Sequence, residues 1–120
     1  MKRLIVPLFC LTLSTGHAQA GSPRIIAVET TRSAMGWRID VTMTHPDTGW
    51  DHYADGWEVV DSTGHRLGVR ELMHPHVNEQ PFTRSLRSVV VPDGIREVFI
   101  RARCSEDGWS GETFRLRLKP

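Results

Sequence analysis

Residues 36–60 read GWRIDVTMTHPDTGWDHYADGWEVV. Up to Thr44, apolar Trp37, Ile39, Val41 and Met43 alternate with polar Arg38, Asp40, Thr42 and Thr44. A period of two is the mark of a strand with one face in a core. A second such run covers Gly56 to Asp61, with Trp57 and Val59 sharing a face. Between them lie His45, Asp47, Trp50, Asp51, His52, Tyr53 and Asp55, a polar and aromatic stretch without periodicity. The spacing predicts two strands joined by a chemically rich loop.

The same pattern extends in both directions. Arg24 to Thr30 reads as a strand ahead of this pair. Arg66 to Met73 follows the turn Ser62-Thr63-Gly64, and Phe82 to Val91 is stopped by Pro92-Asp93-Gly94. Val98, Ile100, Ala102 and Cys104 alternate with Phe99, Arg101 and Arg103, and Phe114, Leu116 and Leu118 with Arg115, Arg117 and Lys119. No helical period exceeds a turn. Seven short strands in about one hundred residues, with a tryptophan on the third, predict an all-β, antiparallel sandwich of immunoglobulin or fibronectin type III character.

The first twenty residues belong to a different class. Lys2 and Arg3 precede an apolar run from Leu4 to Leu13, and Ala18-Gln19-Ala20 is a small-x-small cleavage site. Such a run is too short to span a bilayer, so residues 1–20 are expected to be a cleaved signal peptide and residues 21–120 a single domain. Cys10 sits inside that apolar run, behind the bulky Phe9, and is expected to leave with it. An exported, periplasmic or secreted protein follows. Removing Lys2 and Arg3 leaves thirteen basic residues against fourteen acidic ones, so no basic surface argues for nucleic acid. No second apolar run argues for a membrane span.

Topology gives the polar residues a shared address. With strands in the order A, B, C, C′, E, F and G, the B–C, C′–E and F–G connections fall at one end of a sandwich. These are the loop quoted above, the segment His74–Pro81 (HPHVNEQP) and the segment Ser105–Glu112 (SEDGWSGE). His45, His52, His74, His76, Asp47, Asp51, Asp55, Glu79, Glu106, Asp107, Trp50 and Trp109 are therefore expected together, and His65 at the opposite end. His45 and Cys104 each continue the inward parity of their strands. His74 and His76, two apart, leave an extended chain on the same side. Imidazole and thiolate donors suit transition metals, which makes His45, His52, His74, His76 and Cys104 the candidate ligands, with iron or copper favoured. Asp47, Asp51 and Asp55 lack the glycine and terminal glutamate of a calcium-binding hand loop. Trp50, Tyr53 and Trp109 are candidates for contact with a ligand or partner.

Two segments bear a family resemblance. HPDTGWDHYADGWEV resembles the first ligand segment of superoxide reductases of the desulfoferrodoxin type, with His45 and His52 matching its histidines. CSEDGWSG is similar to the second, with Cys104 matching its thiolate. The resemblance covers about twenty-five residues and implies an immunoglobulin-like domain holding iron through four histidines and an axial cysteine. Asp107 stands where that family carries a histidine, and residues 21–44 contain none. HPDTG also resembles the small immunoglobulin-like subunit of the sulfur-oxidation carrier complex, which implies protein binding. Three functions follow as expectations: transition-metal binding, an accessory module contacting a protein or small molecule without metal, and a superoxide reductase-like iron enzyme.

Overall fold

A computed structural model describes residues 22–119. The signal-peptide reading of residues 1–20, and Cys10 with it, lies outside the described residues. Eight strands form, β1 (Arg24–Ser33), β2 (Gly36–Thr44), β3 (Ala54–Val60), β4 (Arg66–Glu71), β5 (Phe82–Val89), β6 (Glu97–Cys104), β7 (Gly108–Trp109) and β8 (Phe114–Arg117). All pairings are antiparallel. One sheet has the order β1-β2-β5, and the other runs β4-β3-β6, with β7 and then β8 paired along the outer side of β6. The expected all-β sandwich is what forms.

Alternation in sequence becomes burial in the fold. Ile39, Val41 and Met43 on β2, Trp57 and Val59 on β3, and Val98 and Ile100 on β6 have no exposed surface. Fully burying each of the aliphatic side chains contributes about 1.5–3 kcal/mol. The β1 strand adds less, because it is an edge strand and a bulge between Ile25 and Ala27 leaves Ile26 outside. Its hairpin with β2 closes on Gly36, whose φ of +126° and lack of a side chain are both required. A Cβ there would lie 2.5 Å from the Val89 carbonyl oxygen.

One expectation needs correction. The Ser105–Glu112 segment is not a free loop, because Gly108 and Trp109 turn back as β7 against Arg103 and Cys104. The last predicted strand forms as β8, and β7 is an extra short strand in the segment before it, with Ser110 still donating its backbone N–H to the Ala102 carbonyl at 2.8 Å. Trp109 consequently lies not at the loop tips but among the arginines of its sheet. The guanidinium carbons of Arg66, Arg101 and Arg103 stand 5.5, 5.0 and 5.0 Å from its ring centroid. Beneath the arginines, Glu58 is only 2% exposed and accepts from Arg66 Nε at 2.7 Å and Arg101 Nη2 at 2.6 Å. This cover explains why β3 is buried on both faces although only one meets the core.

The connections divide between the two ends as the topology requires. Tyr53 and Ser105 exchange hydrogen bonds, tying the β2–β3 loop to the turn after β6. Asp47 reaches the backbone of His76, tying the same loop to the β4–β5 connection. His65 closes the β3–β4 turn at the far end, where Asp61 accepts its backbone N–H at 2.9 Å.

Candidate metal centre

The β2 strand ends at Thr44, yet its inward parity carries on through His45 to Asp47, and both are buried. Gln80 clamps the exit of the strand. Its side-chain oxygen accepts the His45 N–H at 2.9 Å, and its amide donates to the His76 carbonyl at 2.8 Å.

The centre is organised by Asp47. One carboxylate oxygen accepts the Ala54 N–H at 2.9 Å and contacts His45 Nδ1 at 2.5 Å, and the other accepts the His76 N–H at 2.7 Å. The side chain is wholly buried. A buried carboxylate is tolerated only with this degree of satisfaction, and here it locks the β2–β3 loop, the start of β3 and the β4–β5 connection into one unit. With Nδ1 held by Asp47, Nε2 is the His45 nitrogen suited to bind a metal. A carboxylate behind a histidine both orients the ring and raises its basicity.

His52 arrives through a tight reversal, its N–H bonded to the Gly49 carbonyl at 3.2 Å and its carbonyl to the Thr48 N–H at 2.9 Å. Its ring stands edge-on to that of His45, with centroids 4.8 Å apart. The His52 Nε2 atom is buried without a hydrogen-bond partner among the described residues, and the nearest carboxylate, of Glu106, is 4.0 Å away. Cys104, the last residue of β6, is buried and bears a free thiol. It enters from the opposite strand because Ala54 is its register partner. Donor atoms of His45, His52 and Cys104 all lie within 4.8 Å of one another.

Two imidazoles and a thiolate are a transition-metal donor set. Metal bonds of about 2.0–2.3 Å place donors no more than about 4.6 Å apart, so closing on an ion draws these side chains inward. His52, on a loop and partly exposed, is the ligand with room to move.

The other two candidate histidines form a pair of their own, with rings 4.6 Å apart. His74 is exposed, and its Nδ1 contacts the Pro75 carbonyl at 3.1 Å. His76 is buried and stacks on Phe82 at 3.9 Å and 8°. Arg84 Nη2 lies 2.9 Å from its Nε2, and since arginine can only donate, Nδ1 carries the proton. That N–H has no hydrogen-bond partner among the described residues, with Asp47 Oδ2 at 4.0 Å. His76 therefore supports Asp47 from behind, and the group of three donors does not include it. Trp50 stands exposed at the rim, with its ring 5.6 Å from that of Tyr53.

Burial foremost, and then the Arg84 and His74 charges, hold the His76 pKa below its ordinary 6.5. A histidine favoured as neutral in the fold stabilises fully above its unfolded pKa, and that stability is lost as pH falls through the lower folded value. The metal-free protein is therefore expected to lose urea resistance on acidification from pH 7 to 5. In His76→Asn the slope over this window is expected to be shallower, and an unchanged slope would remove His76 as its cause.

Asp47 and Gln80 are the residues whose roles sequence reasoning missed. For Asp47 a signal existed, since positions 39, 41, 43, 45 and 47 share one parity. For Gln80 none did, because its partners come from distant segments.

No family model matches the chain, and no solved structure does. A protein of Halomicrobium mukohataei named "Putative lipoprotein" is 42% identical to it over 85 residues, which is 69% of this chain. The chain spans 41% of that relative's length.

Proposed function

We propose that the protein is an exported β-sandwich that binds one transition-metal ion, copper in first place, through His45, His52 and Cys104. The observation that carries this is the convergence of two imidazoles and a buried thiol, one imidazole held by a buried carboxylate. Export is supported by the composition of residues 1–20 and by the name of the haloarchaeal relative.

Copper is favoured over iron by the number of donors. The superoxide reductase-like reading asks for four histidines around the thiolate, and two are near it, while the Nε2 of His76 is engaged by Arg84. His76 then acts on the centre through Asp47 rather than as a ligand. What the site can do chemically follows from its ligands. A thiolate and two imidazoles stabilise the cuprous state and permit one-electron exchange in a water-poor setting.

The test is elemental analysis of the protein purified without a metal-chelating tag, followed by loading with cuprous, cupric, ferrous and zinc salts. One equivalent of copper, retained against a competing chelator, is the expected result. An absence of stoichiometric metal under every condition overturns the proposal, and favours the accessory-module reading through Trp50 and Tyr53. Iron retained in preference to copper, with a sulfur-to-iron absorption band, favours the iron enzyme.

A further inference from the structure

The loops at the candidate centre have a charge pattern that the metal chemistry does not use. Residues 45–53, 72–81 and 105–109 together contain Asp47, Asp51, Glu79, Glu106 and Asp107 and no lysine or arginine. All but Asp47 are exposed. Among the described residues only Glu79 has an arginine partner, Arg84 at 3.3 Å. The arginines of the second sheet are used elsewhere, on Glu58, Asp55 and Trp109. These loops are therefore acidic, with Arg24, opposite Thr44, and Arg84, on His76, at their base, in a chain whose total charge is close to zero.

The same end is also apolar. Trp50, Met73 and Val77 are 68%, 71% and 50% exposed. They account for half of the large exposed apolar side chains among the described residues, and all three lie on these loops. Contacts through the buried His45, Asp47 and His76 tie together the two segments that carry these side chains. Met73 adjoins His74, the His74 ring is 4.6 Å from His76, and Asp47 links His76 to His45. His45 meets His52, whose Nε2 is 4.0 Å from Glu106, and Trp50 sits in the same reversal as His52. Leaving a tryptophan and a methionine in water is costly unless something covers them.

We propose that this end docks a protein with a basic rim around an apolar centre. Complementary charge would steer the encounter, and burial of Trp50, Met73 and Val77 would hold it. A second copy of the chain fits poorly, because it would bring like-charged rims together. A nucleic acid or an anionic membrane is disfavoured for the same reason. The proposal does not require the metal, so metal-free protein can be used to test it.

The probe is a purified basic c-type cytochrome, titrated into nitrogen-15-labelled metal-free protein at low and at near-physiological ionic strength. Shifts are expected in residues 45–53, 72–81 and 105–107, including the Trp50 indole, with binding weakened about tenfold or more as the Debye length shortens to about 8 Å. In Asp51→Asn/Glu106→Gln/Asp107→Asn, binding is expected to fall about tenfold further at low salt, while Trp50→Ala/Met73→Ala should lower affinity at both salt levels. The proposal is overturned if there is no binding at low salt, if the shifts map to the Trp109 face or the β1 edge, or if an acidic protein such as serum albumin binds equally well. Self-association of the free chain, detected by sedimentation, would replace the proposed partner with a second copy.

Discussion

Cys104→Ser is expected to abolish the intense visible absorption of the copper-loaded protein in its oxidised, cupric form and to weaken copper binding by roughly a hundred- to a thousandfold. Thiolate sulfur is the donor that produces such a band and the soft ligand that selects copper. A serine hydroxyl at the same place stays protonated and is a poor ligand. Burial is what makes the substitution informative, since Cys104 is 1% exposed at the end of β6. Among the described residues there is no other cysteine to take its place. Placing a hydroxyl there costs about 1–3 kcal/mol of stability, so Cys104→Ala, which lacks that penalty, is the companion variant. Both are to be compared by urea unfolding without metal and by chelator competition with copper. Retention of the band in folded Cys104→Ser would show that the thiolate is not a ligand.

Asp47→Ala is expected to have the largest effect on the metal-free fold. It removes the acceptor for the Ala54 and His76 N–H groups and the partner of His45 Nδ1, all in a site that water does not reach. Leaving buried donors unsatisfied costs about 1–3 kcal/mol each, so a loss of about 3–5 kcal/mol is expected. For a domain of this size that lowers Tm by roughly 15–30 °C. Asp47→Asn separates stability from metal affinity. Its amide oxygen can still accept from Ala54 and His45, while its NH2 faces the His76 N–H. Stability then falls less than in Asp47→Ala, and copper affinity, read by chelator competition, is expected to drop about ten- to a hundredfold through the His45 ring. Melting temperatures unchanged by Asp47→Ala would mean that the carboxylate is not the organiser of this end.

Much of this architecture was legible in the order of residues. The runs around Ile39, Val59 and Ile100 predict strands because a half-buried strand has a period of two, and the turns SerThrGly and ProAspGly separate them. Parity alone placed His45 and Cys104 inward. Shared parity could also have placed Asp47, but a carboxylate three residues past a strand's end is ordinarily read as solvated. The short strand β7 was not legible. A pair as short as Gly108–Trp109 has no periodicity, and what holds Trp109 is a set of arginines from β4 and β6.

The sequence by itself determined the layers of this protein, the end of the sandwich that carries its imidazoles and thiol, and the absence of basic residues from the three loops there. Those properties are local, since alternation, turn residues and charge reside in neighbouring positions. Only the tertiary structure decided which donors meet. It set His45, His52 and Cys104 within 4.8 Å of one another, and turned His76 toward Arg84 and Phe82. It also made Asp47 the joint between three segments. The reason is distance along the chain. His45 and Cys104 are 59 residues apart, and only the pairing of β3 with β6 and the packing of one sheet on the other bring them together.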